Sequence, residues 1–362
     1  MLEKIRMLCH CGAGLQAISS PFCAAVREMI DTDAGLLVWI GLDGLPAGFY
    51  HESAPPEIKD LFVSRFEELF DAGEEISAFG LINGAGPAIG KMLGPGMQDA
   101  FARGNIHRHL CVPLGHHYLF DMVVPGRAAY FAFNAPGRPF DQGHAKALEP
   151  VLPLMAAALE SSDRPAQWCS LGKGGAHLVA SLDGRQLLVI DEEAERLLCG
   201  SHLLRQNLGM LTRPRAAPGF VTMLAASAGQ GIAEIGLPVP DGRLLCKVRR
   251  TRLLPSGTSQ GDEALMIGLD LQFVESVAVI DCLFEKALTG LQREIALYAI
   301  EGGNRSECQV KFGVGAEALK KHLQVIYREC QVDSWNGLGA LYVEIIKNHA
   351  LNAEARWSEA LQ

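Results

Sequence analysis

The chain has 362 residues, 49% of them hydrophobic and 20% charged, with a formal net charge of −9 at pH 7. That length suits two or three domains with real cores, and the acidic balance excludes a protein that coats nucleic acid over its whole surface, so any such contact has to be local. No apolar run reaches the roughly 18 residues a membrane span needs, the N-terminus MLEKIRMLCHCGAG is charged too early for a signal peptide, and the ten scattered cysteines sit mostly in apolar contexts such as LLCKV, as reduced core thiols do; the expected location is the cytoplasm.

Over residues 1–162 helices and strands mix. PFCAAVREMI reads as a helix, and LLVWIG and AGFYHE read as strands around Leu42-Asp43-Gly44, where Asp-Gly is a strong hairpin signal. IKDLFVSRFEELF is the next expected helix. The Gly-rich run INGAGPAIGKMLGPG follows, then three strand-like pieces, HLCVPL, YLFDMVV and AAYFAF, and a closing helix, AKALEPVLPLMAAALES. Strands between an opening and a closing helix describe an α+β sensor-type module.

Several local motifs inside this module are weighed and mostly set aside. Cys9-His10-Cys11 is too closely spaced for a tetrahedral metal site, so buried thiols on a helix are expected and no metal or cofactor is assigned. Gly84, Gly86, Gly90 and Lys91 imitate a phosphate loop, but the spacing is wrong and Met92 stands where Ser or Thr would bind magnesium. The run is instead expected to be a mobile loop able to close over a ligand. His116-His117, just after Gly115, is expected at a solvated turn. Trp39, beside Leu37 on one strand face, Phe49 and His51 on the next strand, and Phe120 and Tyr130 on later strands are the candidate lining of an apolar ligand pocket. The competing reading for each is plain core packing.

SSDRPAQWCSLGKGG reads as a linker. A second α+β unit follows over 175–272. HLVASLD and QLLVID are strands around Asp183-Gly184, EEAERLL is a short helix, and two more helical pieces follow. The hairpin IAEIGLPVPDGRLLCKVRRTRLL turns at Asp241-Gly242, and ALMIGLDL is a last strand. From about Phe273 the period changes: VESVAVIDCLFEKAL has no turn residues, and residues 273–287 read as a connecting helix.

The remainder, 288–352, is purely helical. Thr289 with Gln292 is a capping box that opens one helix, closed by Gly302-Gly303. Asn304 with Glu307 opens a very short helix by the same logic, and Gly313 closes it. Gly315 then opens a longer helix whose stripe Leu319, Leu323, Ile326 and Cys330 packs it down at spacings of four, three and four. A short helix, a tight glycine turn and a longer helix is the plan of a helix-turn-helix DNA reader. The stripe leaves Lys320, Lys321 and Gln324 facing outward, where lysine suits guanine and glutamine suits adenine. Glu317 is a further candidate DNA contact. Arg305 and Ser306, at the start of the short helix, could hold a phosphate through free backbone N–H groups. Against this, the segment 288–351 carries seven basic and seven acidic residues and is neutral.

The frame LT..QRE, EG, N.SE, Gly313, LKKHL, IYR and V.S resembles the LuxR-type helix-turn-helix family without a gap over roughly fifty residues. The resemblance implies an all-α, four-helix DNA-binding domain in which Lys320, Lys321 and Gln324 face the bases. Three positions depart from the family pattern: Gly290 replaces a proline, Gln309 a small alanine, and Gly315 with Ala316 the polar N-cap residues. By element order, and by phrases such as HLCVPLG and DEEAERLL, the first 270 residues resemble the GAF-like and PAS-like sensor halves attached to some LuxR-type regulators. The implied protein is no enzyme. It is a ligand-responsive homodimer that reads a palindromic operator in double-stranded DNA, answers to an apolar or aromatic small-molecule effector, and has RNA polymerase as a further possible partner but no membrane. A protein-interaction regulator, which keeps the fold but titrates other regulators without tight DNA binding, is the alternative. The two differ in salt dependence.

Overall fold

In the computed structural model the described residues are 1–40, 46–52, 76, 78–160, 166–171, 175–200, 215–216, 219–229, 234–239, 242–253 and 262–359. The chain opens with helices α1 (Leu2–Cys9) and α2 (Ser19–Ile30). Strands β1 (Ala34–Ile40), β2 (Pro46–His51), β3 (Tyr118–Val124) and β4 (Ala128–Asn134) form an antiparallel sheet in the order β2-β1-β4-β3. Between β2 and β3 lie helices α3 (Ala78–Asn83) and α4 (Met97–Arg103). After β4 come α5 (Gln142–Leu148) and α6 (Leu152–Leu159), two helices where one was expected. The split falls at Glu149-Pro150, and Pro153 sits in the first turn of α6, where its missing N–H costs nothing.

This sheet is covered on both faces. Leu37, Trp39, Phe120 and Tyr130 pack against α1, α2 and α6. Val38, Leu119, Val123, Phe131 and Phe133 pack against Leu81, Ile82, Met92 and Phe101. Burial on both sides explains why β4 reads AAYFAFN with no polar alternation: all seven residues are buried. Each large apolar side chain buried here contributes about 1.5–3 kcal/mol.

Three expectations fail in this region. HLCVPL is not a strand but a tight helical turn, His107–Cys111 followed by Val112–Leu114. Pro113 cannot donate to a ladder, and Gly115, at φ 77°, ends the turn. The glycine-rich run is no free loop. Lys91 Nζ donates to the carbonyls of Leu81 (2.6 Å) and Gly84 (2.7 Å). Met92 N–H donates to the buried Asp121 carboxylate at 2.9 Å, and Val123 N–H donates to Ala88 O at 2.7 Å. The lysine that imitated a phosphate ligand is therefore engaged with its own loop. Third, His116 is not solvated. It is 5% exposed and stacks on Phe133 with ring centres 5.0 Å apart.

His116 belongs to a group of imidazoles that the sequence did not disclose. His51 lies 5.6 Å from it, and His107 lies 5.7 Å from His117 and 5.0 Å from Phe101. Nε2 of both His107 and His116 is buried with no hydrogen-bond partner among the described residues. Burial holds both imidazoles below their ordinary pKa, most strongly offset at His116 by Asp33 and at His107 by its hydrogen bond to the Ala102 backbone.

In the second sheet the strands run β8 (Arg215–Ala216), β7 (Gln186–Ile190), β6 (Ala176–Ser181), β11 (Asp262–Val274), β10 (Gly242–Leu253) and β9 (Glu234–Val239). Trp168–Ser170, placed in the linker by composition, is strand β5 on the far end of β11. One face is buried: Leu178, Leu244, Cys246, Ile267 and Leu269 pack under α7 (Glu192–Gly200) and α8 (Gly219–Gly229). One-sided burial gives β10 its visible alternation. Gly184 turns at φ 69°, as the Asp183-Gly184 signal required. The Asp43-Gly44 turn, the 58–70 helix, Asp241 and the helical piece before Arg215 lie outside the described residues.

From β11 the chain enters the C-terminal helical region: α9 (Glu275–Phe284), α10 (Gly290–Ile300), α11 (Arg305–Phe312), α12 (Ala316–Cys330) and α13 (Trp335–Glu359). The structure is thus mixed α+β, with antiparallel sheets and a C-terminal helical region. Among the described residues no helix is long and apolar enough to cross a membrane.

The buried histidines carry a pH signature. The unfolded chain protonates them near 6.5 while the folded chain resists, so the unfolded state binds more protons and stability falls as pH drops through 6.5. The urea midpoint is expected to fall more between pH 7.5 and 5.5 for the wild type than for His107→Phe/His116→Phe. Equal slopes would show that these imidazoles do not titrate with unfolding.

Candidate nucleic-acid interface

The C-terminal helices are built from their caps inward. Gln292 Oε1 accepts from Thr289 N–H at 2.8 Å, closing the start of α10. At the start of α11 the expected capping box is replaced. Asn304 Oδ1 accepts from both Ser306 N–H (2.9 Å) and Ser306 Oγ (2.8 Å), whereas Glu307 turns away to accept from Tyr298 Oη at 3.3 Å. This corrects one assignment: the N–H and hydroxyl of Ser306 are already donated within the cap and are not free for a phosphate. Arg305 remains exposed beside it.

The turn from α11 to α12 has a mechanical cause. Gly313, at φ 63°, sends its N–H to Val310 O (3.4 Å), and Val314 N–H reaches Gln309 O (3.0 Å). That pair of bonds is a Schellman ending, which needs a residue free to adopt positive φ. Gly315 follows in extended conformation and starts α12 without a side-chain cap. On α12, Leu319, Leu323, Ile326 and Cys330 are all buried, beside Ile295, Cys308 and Leu338. Glu317, Lys320, Lys321 and Gln324 are exposed. Among the described residues neither lysine has an ion-pair partner. Trp335 Nε1 donates to Gly303 O at 3.0 Å and ties α13 to the turn before α11.

Behind this face lies a junction that the sequence reading missed. Helix α1 belongs to the first core through Ile5 and Leu8, yet its charged residues reach the C-terminal helices. Lys4 pairs with Asp281 at 2.8 Å, Glu3 with Arg293 at 3.5 Å, and Arg6 with Glu294. These pairs are half-buried, with only Arg6 exposed; a solvated pair is worth about 0–1 kcal/mol. Glu3 has a second role. A Cβ on Gly290 would lie 2.5 Å from its Oε1, so the carboxylate sits against the first residue of α10, where a helix N-terminus favours negative charge. Glycine at 290 is what admits it. The signal available in the sequence was the cluster Glu3, Lys4 and Arg6 in a short apolar helix.

The five proposed ligand-pocket residues do not converge. Trp39, Phe120 and Tyr130 lie in the core under α2 and α6, whereas Phe49 packs against the core on the opposite sheet face, where His51 neighbours Phe133. The sheet itself separates the two groups. Cys9 and Cys11 line no metal cluster among the described residues. Burial pushes their thiols up to about 12 and about 11, so both are neutral. No protein-family model matches the chain, and no curated protein is significantly similar to it.

Gly290→Ala tests the junction. The new Cβ intrudes on the Glu3 carboxylate while suiting the helix. Amide hydrogen exchange in Leu2–Cys9 should accelerate several-fold with α10 still protected. Unchanged exchange in α1 would mean that Glu3 contributes nothing to the docking.

Proposed function

We propose that the chain is a ligand-responsive DNA-binding transcription regulator, with GAF-like and PAS-like sensor units before a LuxR-type helix-turn-helix. The observation that carries this reading is the division of α12 into a buried aliphatic stripe and an exposed face bearing Lys320, Lys321 and Gln324. A helix held from below, with unpaired cations near its N-terminal end, is the form that enters a major groove. The Schellman turn at Gly313, which sets α11 against α12, and the tie from Trp335 to Gly303, which holds α13 to the turn before α11, support the same plan. The first sheet, helix-covered on both faces, suits a GAF-like unit. The second, covered on one face, suits a PAS-like one.

In this reading the working form is a homodimer whose two α12 helices meet half-sites about one DNA turn apart. An effector acts by binding one dimer geometry better than the other. Transmission runs through α9 and through the ion pairs of α1, because both touch the sensor core and the helices.

The interaction-regulator reading draws on a specific observation as well. With the Ser306 donors engaged in the cap and no hydroxyl at 315 or 316, Arg305 is the principal phosphate donor left at this end. Lys320→Ala and Lys321→Ala should each weaken binding to the promoter fragment by an amount on the order of 1–3 kcal/mol, and raising salt should weaken it steeply. Wild-type binding by the double variant, or salt-insensitive association, would leave the interaction-regulator reading in place of DNA recognition.

A further inference from the structure

Between α1, α9, α10 and α11 lies a crevice of about 340 Å³. It sits where the first core meets the C-terminal helices, and its volume falls in the range that small organic ligands fill. Met7, Ile280 and Leu297 give it an apolar floor. Tyr298 and Phe312 wall it as an edge-to-face pair with ring centres 5.8 Å apart.

The polar groups on its walls narrow the ligand. Arg6 is paired with Glu294, and Glu301 accepts from Ser276 Oγ at 2.9 Å. His10 Nδ1 lies 2.8 Å from Arg6 O and donates there, which leaves Nε2 toward other partners. The Cys11 thiol is neutral. Lys311 differs from these. Its ammonium lies 4.3 Å from the centre of the Tyr298 ring, and among the described residues no carboxylate pairs with it. An apolar slot with an aromatic wall and an ammonium that no described carboxylate pairs with complements a flat apolar body carrying one negative charge at the Lys311 end, away from Glu301.

We propose that this crevice binds a small aromatic carboxylate, with its ring along Tyr298 and its carboxylate on Lys311. The wall it would touch is wired to the start of α11. Tyr298 Oη accepts from Asn304 N–H at 3.3 Å and donates to Glu307. Gly303 packs so closely on that ring that a Cβ there would lie 2.5 Å from it. A ligand that moves Tyr298 therefore moves the cap next to Arg305. Occupancy of the crevice stands independently of any DNA contact; that occupancy alters operator binding rests on the reading of the chain as a regulator.

Isothermal titration of the full chain with indole-3-acetate and phenylacetate tests occupancy. The expected result is saturable binding, weakened about tenfold by Lys311→Met, a surface change that leaves the core intact, and similarly for the neutral phenylacetamide. Failure of both carboxylates to bind at millimolar concentration overturns the proposal. So does binding that Lys311→Met leaves unchanged, since the ligand would then sit elsewhere. Promoter binding measured with and without indole-3-acetate is the separate arm: no change there, with crevice binding intact, refutes the regulatory role and not the site.

Discussion

The structure depends on one helix whose apolar residues are divided between two cores. In α9, Val277 and Ile280 enter the core of the first sheet, while Ala278, Val279 and Leu283 enter the core of the C-terminal helices. A helix apolar on two sides has to be covered on both, and its polar residues Ser276 and Asp281 find partners at the margins, Glu301 and Lys4. It follows directly on β11, whose last residues split the same way, Phe273 to the helical core and Val274 to the first core. The longest strand of the second sheet thus runs into the helix shared by the other two cores. Neither of those two cores can shift without moving apolar surface that α9 covers. At roughly 25 cal/mol per Å² of such surface, the ion pairs at its margin are minor beside it.

That constraint assigns roles to the charges around it. Lys4–Asp281 and Arg6–Glu294 contribute little energy in water, yet they select one docking angle of α1 among many. Glu3 is more particular, because its carboxylate needs both the α10 N-terminus and the absence of a side chain at Gly290. Burial fixes which surfaces meet, and the charges fix their register.

Legibility in the sequence followed the number of neighbours an element has. The second sheet is covered on one face, so its strands alternate, and β6, β7, β9, β10 and β11 were readable from period alone. α12 was readable for the same reason: one face inward, and spacings that name it. The first sheet is covered twice, its strands carry no alternation, and HLCVPL therefore looked like one more strand. Its pocket residues were misjudged for the same cause, since composition cannot say which face of a doubly buried strand a side chain takes. His116 looked solvated because it follows a glycine turn; its stacking on Phe133, seventeen residues downstream, is information only the fold holds.

The candidate site shows a sharper version of this limit. Its exposed face is local, set by one helix's own periodicity, and so Lys320, Lys321 and Gln324 could be named in advance. Its support is nonlocal: Trp335 on Gly303, Tyr298 between Asn304 and Glu307, Glu3 nearly three hundred residues before Arg293. Ser306 shows what the local view omits. Read alone it is a donor at a helix N-terminus, but beside Asn304 its donors are already satisfied, and a satisfied donor has no further bond to offer an anion. A helix with one buried and one exposed face can be read from its own sequence, but the parts that orient it become visible only once the chain has brought its two ends together.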